Sequence, residues 1–485
     1  MKPFPAQLTT LSDWFDERTG FRHKLNEALD EPIRGGARWA YVFGSILLFL
    51  LVIQAVTGIF LSLYYVPSAD HAHTSVAFIQ KAVPGGALLR GLHHYSASAM
   101  VVFAVLHLAQ TFLYGAYKKR RELVWMVGGV MFLLILGFAF TGYLLPWDQA
   151  AYFGTKVGTS IAGEIPIVGP IQQRIMLGGT ELTTLTLSRF FTAHVFLLPL
   201  GLGLLVFLHL YLFRKATPAG PFHDRDNARV ERFYPQQMLK DSIAVLGLFI
   251  ALAVLAKYIP AELGPQADPS SDYLARPPWY FLPLFQLLKY FPGTWSVIPT
   301  VVLPGALFTL IFFLPILDRR EERHPLKRPL ATFILIALLF GAVSLGAFSK
   351  YQDRTDKEFN TKLQEQEEDQ REFLKAPFEP QIVGAVTAIK ATNAAAPLAK
   401  VAPPPPIYIE SCAECHGERA EGGPDDEPSL IGITTKRNRT KEDLLKIINN
   451  SRSYGLKKPM PRSFPELSDD DKKSIVEWLE SLKAS

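Results

Sequence analysis

Two cysteines, Cys412 and Cys415, lie three residues apart, and His416 follows directly. This C-x-x-C-H pattern is the attachment sequence of c-type haem, in which both thiols bond the haem and the histidine can ligate its iron. Because these are the only cysteines, a disulfide framework, a four-cysteine iron–sulfur cluster and an all-cysteine zinc site are excluded. A zinc knuckle would need further ligands, and a redox C-x-x-C would need a βαβ pattern that the sequence lacks. The motif therefore predicts one covalent c-type haem.

Met460 is the only methionine after residue 238, and it lies between Pro459 and Pro461. A loop is expected there, before a final helix at 468–482. Its thioether is predicted to be the second axial ligand of that iron, a ligand that raises the reduction potential. Packing in a core is the alternative role of a lone methionine.

Five histidines lie in strongly apolar segments, where ionisable side chains are costly and functional roles are the default expectation. His93 and His107 are 14 residues apart, and His194 and His209 are 15 apart. In a helix each pair shares one face, with about 21 or 22 Å between its members. Two facing helices would supply two pairs of imidazoles, which suits two non-covalent b-type haems stacked across a bilayer. His94 is turned off the common face, and interhelical hydrogen bonding is the alternative role.

Four glycines repeat the 14-residue interval in two pairs, Gly44 with Gly58 and Gly128 with Gly142. Glycine lets a flat ring approach the backbone closely, so these positions are predicted to clear space for haem, with helix packing as the alternative. Arg90 and Arg189 precede the first histidine of each helix and could pair with haem propionates. Anchoring the helix ends at the membrane interface would explain them as well.

The elements that position these residues are apolar helices. Of the 485 residues, 49 % are apolar, 12 % aromatic and only 20 % charged, which excludes a disordered chain, a coiled coil and a nucleic-acid binder. A membrane-spanning helix needs about 20 apolar residues. Seven such runs predict an all-α transmembrane bundle in the lipid bilayer; they lie near 38–64, 92–116, 124–145, 190–213, 242–258, 295–317 and 329–348.

Basic residues cluster in the loops after runs two, four and six, which places those loops in the cytoplasm. The N-terminus is then cytoplasmic, and the C-terminus lies on the outer, periplasmic side of a bacterial-type inner membrane. No cleavable signal peptide is visible, because a charged segment precedes the first run. The expected organisation is a surface segment 1–37, a four-helix di-haem core 38–214, a three-helix part 215–348, a charged then Ala/Pro-rich linker 349–406 and a cytochrome c domain 407–485.

Several motifs then carry a family resemblance. These are Arg90-Gly-Leu-His93, Gly142-Tyr-Leu-Leu-Pro-Trp147-Asp-Gln, Ile165-Pro-Ile-Val-Gly169, Arg189-Phe-Phe-Thr-Ala-His194 and Phe233-Tyr-Pro-Gln-Gln-Met-Leu-Lys-Asp241. Residues 31–348 resemble cytochrome b of the quinol-oxidising bc complexes, in a seven-helix form similar to the b6f-type branch. The C-terminal segment resembles class I cytochrome c domains.

The resemblance implies a subunit of a proton-translocating quinol:cytochrome c oxidoreductase in an electron-transport chain. His93 and His194 would ligate the outer b-type haem, and His107 and His209 the inner one. Quinol would be oxidised at the outer side, one electron passing to a Rieske iron–sulfur protein and the other crossing both haems to an inner quinone. The fused cytochrome c domain would serve a soluble or membrane acceptor, such as a cytochrome or oxidase. A homodimeric complex is expected, with the Rieske protein as a separate chain.

The quinol pocket implied by the resemblance uses the loop from Tyr143 to Gly154 and a later four-residue segment. Its candidate residues are Tyr143, Pro146, Trp147, Asp148, Glu164, Pro277, Pro278, Trp279 and Tyr280, with Asp241 near the inner site. The family motif is usually Pro-Glu-Trp-Tyr, but Pro278 stands in place of its proposed proton-accepting Glu. Asp148, Glu164 and Asp272 are candidates to replace it, Glu164 or Asp148 being favoured, and each could instead be a solvated loop carboxylate.

A second departure concerns the additional haem that b6f-type chains often hold through a cysteine near the inner site. Val42 occupies the equivalent position, so no covalent haem is expected there. Two other function classes stay open from the residues alone. A di-haem membrane anchor of another quinone-linked dehydrogenase would share the histidines but not the Gly-Tyr-Leu-Leu-Pro-Trp loop. A transporter with a tethered cytochrome would hold no membrane haem.

Overall fold

The computed structural model describes residues 6–222, 229–379, 403–417, 419–420, 422, 429–431, 433–436, 439–450, 464 and 467–482. The chain folds as two compact units, Met1–Gln381 and Ile382–Ser485. Met460, the predicted second ligand of the c-type iron, lies outside the described residues.

Seven helical segments in the described part are long and apolar enough to cross a membrane, which confirms the expected bundle. They are Trp39–Ser62, Gly86–Leu113, Glu122–Leu144, Thr184–Ala216, Phe233–Tyr258, Gly293–Leu317 and Pro329–Thr355. Their outward faces carry large apolar side chains, such as Phe207, Phe340 and Val343, each more than 70 % exposed. Such faces are stable against lipid and would be unfavourable in water.

The α-helices of the first unit, in chain order, are α1 (Ala6–Thr19), α2 (Phe21–Leu29), α3 (Val42–Ser62), α4 (Ala72–Lys81), α5 (Gly86–Leu113), α6 (Glu122–Leu144), α7 (Gln149–Gly163), α8 (Gly169–Leu177), α9 (Thr184–Thr192), α10 (Leu198–Ala216), α11 (Met238–Tyr258), α12 (Leu282–Leu288), α13 (Leu303–Leu317), α14 (Pro329–Thr355) and α15 (Lys357–Lys375). Wide π turns at Ala193–Leu197, Phe233–Gln237 and Ile298–Val302 precede α10, α11 and α13. Each π turn contains a proline or is followed closely by one, and the missing N–H and bulky ring of proline interrupt the regular helical ladder.

The core of the bundle lies between α3, α5, α6 and α11. Val42, Ile46 and Leu50 of α3 pack against Met100, Val101 and Ala104 of α5, with Ile135 and Leu252 alongside. Two short strands, β1 (Pro32–Arg34) and β2 (Val230–Arg232), pair antiparallel with Ile33 opposite Glu231. This pairing ties the N-terminal segment to the loop that follows α10.

A buried cluster of charges joins the loop after α5 to the loop after α13. Asp318 accepts a hydrogen bond from Tyr117 and lies 2.9 Å from Lys118 Nζ and 3.5 Å from Arg328 Nη1. Burial would raise the pKa of Asp318, but the hydrogen bonds from Tyr117 and Lys118 and the two positive charges hold it below its usual value. The cluster therefore fixes these two loops through a carboxylate that stays ionised.

The charged segment after the seventh run is helical and docked. α14 continues to Thr355, and Asp356 caps α15 by accepting from the N–H groups of Glu358 and Phe359. Beyond this cap, Phe373, Leu374 and Phe378 pack against Val76, Ala77 and Leu263. Residues 356–378, expected as part of a linker, thus lie against the loops at one end of the bundle.

The second unit has short helices at α16 (Pro406–Ser411), α17 (Ala413–His416), α18 (Ile433–Lys436), α19 (Lys441–Asn450) and α20 (Asp469–Ser481). The rings of Tyr408 and Trp478 lie 4.5 Å apart and join α16 to α20. Ser468 caps α20 by accepting from the Asp471 N–H. The predicted final helix at 468–482 is therefore present.

Candidate haem and quinol sites

Two histidines from different helices face each other near one end of the bundle. The ring centroids of His93 (α5) and His194 (the π turn before α10) are 6.3 Å apart, with their planes at 67°. This separation leaves room for one metal ion bonded to both rings at about 2 Å each, the usual length of a bond between histidine nitrogen and a metal. We call His93 and His194 the first histidine pair, and this end of the bundle the first-pair end.

His107 and His209 form a second pair deeper along the same two helices. They are near enough to interact electrostatically, and we call them the second histidine pair, at the second-pair end. His94 is exposed and belongs to neither pair. The predicted grouping of four histidines into two pairs therefore agrees with the arrangement of α5 and α10.

The π turn at Ala193–Leu197 accounts for the unequal histidine spacing. There the Leu198 N–H donates to the Ala193 carbonyl, five residues back instead of four. Such a turn accommodates one extra residue, so 15 residues on this helix span the same face as 14 on α5. Pro199, at the start of α10, lacks the N–H that a regular turn would need.

Each of the four glycines faces one of the four histidines. A Cβ at Gly142 would lie 2.6 Å from His194 Cε1, and one at Gly58 would lie 3.2 Å from His93 Cε1. At the second pair, a Cβ at Gly128 would lie 3.3 Å from His209 and one at Gly44 would lie 3.8 Å from His107. The glycines thus leave the space that the imidazoles occupy. Their predicted role in clearing space for haem stays a prediction.

Threonines fix the tautomer of the first pair. His93 Nδ1 lies 2.9 Å from Thr57 Oγ1, and the Thr57 hydroxyl donates to the Ile53 carbonyl at 2.6 Å. Likewise His194 Nδ1 lies 3.0 Å from Thr141 Oγ1, whose hydroxyl donates to the Gly137 carbonyl at 2.8 Å. Because each hydroxyl proton is already bonded to a carbonyl, each Oγ1 must accept from an Nδ1–H. Both Nε2 atoms are then left with a free lone pair, the state that a metal requires.

The second pair has no such hydroxyl behind it in the described part of the chain. The Nδ1 atoms of His107 and His209 are buried and meet no hydroxyl there, and the backbone of Val124 is the hydrogen-bond partner of His209. Two sites that both have a pair of histidines thus differ in the hydrogen-bond partners of the histidine Nδ1 atoms. Since such groups raise the basicity of a ligating imidazole, the two sites are expected to hold iron at different reduction potentials.

A loop cluster covers the first-pair end. Tyr143, at the end of α6, donates from its hydroxyl to the Ala150 carbonyl at 3.1 Å and to the Arg276 carbonyl at 3.3 Å. It thereby joins the 143–154 loop to the segment that contains Pro277 and Pro278. The family resemblance implies that these two segments line one pocket, and in the structure this side chain joins them.

Asp148 is buried and holds the loops in place. Its Oδ1 accepts from the Ala151 N–H at 2.9 Å as the cap of α7, and its Oδ2 accepts from the Gly264 N–H at 2.9 Å. The Gly264 carbonyl lies 2.8 Å from His73 Nε2, a buried ring whose pKa is lowered by burial. Trp147 is buried beside Tyr152, with ring centroids 5.4 Å apart. Both Asp148 oxygens therefore have structural partners.

The other pocket candidates differ in exposure. Trp279 is half exposed, and its ring packs edge-on against Tyr280 at 5.3 Å. Burial raises the pKa of Tyr280 to about 12, so its hydroxyl stays protonated at neutral pH. Glu164 is exposed and follows α7. Its Oε2 lies 3.3 Å from the Thr300 hydroxyl, which donates more closely to the Ser296 carbonyl at 2.7 Å. Pro278 begins the turn that the Phe281 N–H closes by donating to its carbonyl at 2.9 Å.

The two arginines expected near haem propionates bind protein oxygens. Arg90 is buried and donates to Gln80 Oε1 and to the Ala261 carbonyl, both at 3.0 Å, and also to the Glu262 carbonyl. Arg189 donates to the carbonyls of Arg174 and Ile175. Their role toward propionates stays a prediction.

At the second-pair end, Asp241 is buried on α11. Its Oδ2 accepts from the Ser45 hydroxyl at 2.7 Å and its Oδ1 accepts from Gln237 Nε2 at 2.7 Å. Ser45 is adjacent to Gly44, which faces His107. Asp241 therefore lies close to the second histidine pair, where the family resemblance implies an inner quinone site.

In the second unit, the C-x-x-C-H motif forms a single helical turn. The Cys415 and His416 N–H groups donate to the Cys412 carbonyl at 3.3 and 2.9 Å, which places the three side chains on one side of the turn. Cys412 packs against the core formed by Tyr408 and Trp478, and burial raises the pKa of its thiol to about 11.

Comparison with known proteins follows the same division of the chain. Residues 29–217 match the family model "Cytochrome b/b6/petB", and residues 269–362 match "Cytochrome b(C-terminal)/b6/petD". A "Cytochrome bc complex cytochrome b subunit" of Chlorobaculum thiosulfatiphilum is 38 % identical over 346 residues, which cover 68 % of this chain and 78 % of the relative. The chain belongs to the cytochrome b family.

Other relatives of this cytochrome b support the same assignment. "Cytochrome b" of Rhodobacter capsulatus is 32 % identical over 71 % of this chain and 77 % of its own length. The "Menaquinol:cytochrome c reductase cytochrome b subunit" of Geobacillus thermodenitrificans is 40 % identical over 44 % of this chain and 99 % of its own length. A solved structure, "Hyperthermophilic respiratory Complex III", matches with a TM-score of 0.64 and 29 % identity, covering 75 % of this chain and 97 % of that one.

This cytochrome b carries an additional domain. Residues 399–479 match the family model "Cytochrome C oxidase, cbb3-type, subunit III", so a cytochrome c domain follows the seven-helix part. The two domains imply haem binding and electron transport in a complex with other subunits. The expected all-α cytochrome b with a fused cytochrome c is confirmed.

Sequence reasoning missed several residues that shape these sites. Thr57 and Thr141 each directly precede a glycine that faces a histidine. The available sequence signal was therefore a threonine next to Gly58 and next to Gly142, two of the four glycines predicted to clear space. Arg276 and Asp353 pair beside the quinol loop, but they are 77 residues apart and no local pattern connects them.

Proposed function

We propose that this chain is the cytochrome b subunit of a quinol:cytochrome c oxidoreductase in which the cytochrome c is fused to the same chain. The observation that carries the proposal is the pair of facing histidines beneath a closed loop cluster, repeated by a second pair deeper along the same helices. A di-haem anchor of another enzyme would need the histidines but not the ordered loops joined by Tyr143.

The residues assign to haem groups as follows. His93 with His194 and His107 with His209 would each hold a non-covalent b-type haem, and Cys412, Cys415, His416 and Met460 would hold one c-type haem. When bound, these haems would carry single electrons. Val42 is a buried residue at the start of α3, and no covalent haem is proposed beside it.

Quinol would bind at the first-pair end, between the 143–154 loop and Pro277–Tyr280. There it loses two protons and two electrons and leaves as quinone. One electron would go to a Rieske partner and then to the cytochrome c domain and its acceptor. The other would cross the bundle to a quinone near Asp241, so that two quinol oxidations supply the two electrons, and two protons are taken up, for each quinone reduced there. Protons released at one end and taken up at the other amount to translocation if the first-pair end faces outward, the orientation that the basic loops favour.

A carboxylate must accept a quinol proton at this end, because Pro278 cannot. Glu164 is exposed, with the Thr300 hydroxyl as a weak partner, so it can exchange protons with solvent. Asp148 is buried, and both of its oxygens already accept backbone N–H groups that hold the loops in place. We therefore prefer Glu164 as acceptor and expect Glu164→Gln to slow quinol oxidation, with Asp148→Asn distinguished by loss of loop stability.

The proposed function is tested in membranes that contain the whole complex. Ubiquinol and menaquinol analogues are mixed with the oxidised complex, and reduction of b-type and c-type haem is followed at their separate optical bands. We expect both bands to rise together. A quinol-analogue inhibitor of the first-pair end should block reduction of the c-type band, while b-type haem can still be reduced through the second-pair end. Reduction of c-type haem that is insensitive to such an inhibitor, or reduction of the b-type band alone in the uninhibited complex, would refute the proposal.

A matched pair of variants tests the ligands. His93→Gln should lose the b-type haem of the first pair, while His94→Gln, its exposed neighbour, should keep it. Equal haem content in the two variants would refute the assignment.

A further inference from the structure

The last turns of α14 contact the segment that forms one wall of the proposed quinol pocket. Asp353 accepts two hydrogen bonds from Arg276, at 2.6 Å from Nη2 and 3.1 Å from Nε. The side chains are only 17 % and 15 % exposed. A bidentate arginine–carboxylate pair of this kind fixes orientation as well as distance.

Arg276 is also held by two aromatic rings. Its Cζ lies 5.2 Å from the ring centre of Phe285 on α12 and 5.7 Å from that of Phe359 on α15. Its own carbonyl accepts from Tyr143 across the pocket. Guanidinium stacking on aromatic rings is a contact that lysine does not reproduce. The side chain thus has one geometry, set by three helices of the membrane unit.

The two residues after Arg276 transmit this geometry. Pro277 restricts the backbone of Arg276 to extended conformations, and both prolines have a fixed φ. A rotation of the Arg276 backbone would therefore carry Trp279 and Tyr280 with it. An acidic side chain at position 278 could bond to the substrate directly. Pro278 cannot, so the position of this wall depends on the contacts that Arg276 makes on the side away from the pocket.

We propose that the Arg276–Asp353 ion pair is a positioning element that sets the Pro277–Tyr280 wall for quinol binding. The proposal rests on the proposed function, since it assumes that quinol binds at this wall. It assigns a role in substrate binding to α14, a helix that contributes none of the four histidines.

The chain offers a matched control for this pair. Lys362 of α15 and Asp272, four residues before Arg276, also form an ion pair at 2.6 Å. Their side chains are 39 % and 93 % exposed, and an exposed pair contributes little. Lys362→Gln therefore removes an ion pair of similar length between the same loop and the neighbouring helix α15, without disturbing a buried pair.

The experiment compares Asp353→Asn, Arg276→Gln, Arg276→Lys and Lys362→Gln in the whole complex. For the first two, we expect kcat/KM for the quinol analogue to fall about 10- to 100-fold, the size that misplacement by about 1 Å produces. Most of the loss should be in KM, with a parallel loss of affinity for the quinol-analogue inhibitor. Arg276→Lys keeps the positive charge but loses the bidentate hydrogen bonding to Asp353 and the stacking on the aromatic rings. Its loss of kcat/KM should therefore be intermediate. Lys362→Gln should stay within about twofold of wild type.

A second readout separates positioning from general damage. Reduction of b-type haem through the second-pair end, with the first-pair end inhibited, should be unchanged in every variant, and so should haem content. If Asp353→Asn does not accumulate, Arg276→Lys gives the test, because its KM must still rise. Exchange of the charges, with Arg276→Asp and Asp353→Arg combined, should recover part of the lost inhibitor affinity.

Three results would overturn the proposal. Wild-type KM and inhibitor affinity in both Asp353→Asn and Arg276→Gln would remove the positioning role. Equal losses at both ends of the bundle, with falling haem content, would show a general folding defect. A wild-type complex without inhibitor-sensitive quinol oxidation would refute the proposed function itself, and this inference with it, before any variant is compared.

Discussion

Alanine at each of the four glycines that face histidines gives a graded prediction. Carbon atoms in contact prefer separations of about 3.5–4.0 Å. A Cβ at Gly142 would stand 2.6 Å from a histidine carbon, so the ring must move by about 1 Å. At Gly58 and Gly128 the separations are 3.2 and 3.3 Å, which require a shift of a few tenths of an ångström, and at Gly44 it is 3.8 Å, an ordinary contact.

The cost follows from this order. Inserting a methyl group into a packed site typically costs about 1–3 kcal/mol, which corresponds to about 5- to 150-fold in the equilibrium that places the imidazole. We assign Gly142→Ala to the upper part of this range, Gly58→Ala and Gly128→Ala to the lower part, and Gly44→Ala to no measurable cost. Because the ring displaced in Gly142→Ala belongs to the first histidine pair, only the b-type haem of that pair should be affected.

The assay is an optical redox titration of each variant, with b-type haem content measured on the same sample. Gly142→Ala should lose much of one b-type component or shift its midpoint potential, and Gly44→Ala should overlay wild type. Full occupancy with unshifted potentials in Gly142→Ala would refute the reasoning. Equal damage in Gly44→Ala and Gly142→Ala would refute it too, since the clearances then would not matter.

Three further predictions address other contacts. Thr57→Val or Thr141→Val removes the hydroxyl that accepts a hydrogen bond from a ligating histidine, a bond worth about 1 kcal/mol. The histidine becomes less basic, so the midpoint potential of the first-pair haem should rise by up to about 40 mV in a redox titration. The potential of the second-pair haem should stay constant. Asp318→Asn leaves two buried cations without a counter-charge and should cost about 3–5 kcal/mol, seen as a lower melting temperature of the complex. The pKa of Asp318 is lower in the folded protein than in the unfolded one. The wild type should therefore lose this stabilisation as the pH falls from the unfolded pKa through the folded pKa. The melting temperature of Asp318→Asn should show no such pH-dependent step. Replacing Cys412 and Cys415 by serine should abolish the haem-stained band on a denaturing gel and leave the b-type spectrum intact.

Much of the membrane unit could be predicted because its signals are local. A run of about 20 apolar residues predicts a span without tertiary information, and all seven runs are helices of spanning length. The 14-residue intervals of histidines and glycines repeat along single helices, so their facing arrangement follows from helical geometry. The C-x-x-C-H motif is equally local.

What could not be predicted depends on contacts distant in sequence. The 15-residue histidine interval implies an imperfect shared face in a regular helix, and only the π turn beside Pro199 shows how the helix absorbs the extra residue. The charged, Glu/Gln/Lys-rich composition of residues 350–375 predicts a helical segment, and α15 spans most of it. However, its docking through Phe373 against α4 requires knowledge of which loops lie at that end. The partners of Arg90 and Asp148 are mostly loop carbonyls and amides, which have no side-chain signature in the sequence.

A pyridine haemochrome spectrum of the purified chain tests the central claim most directly, because it counts b-type and c-type haem separately. The two histidine pairs and the single C-x-x-C-H motif predict two b-type haems for each c-type haem. A ratio of two to one would support both assignments at once. Absence of b-type haem from a folded preparation, or a single b-type haem, would contradict the account of facing histidine pairs.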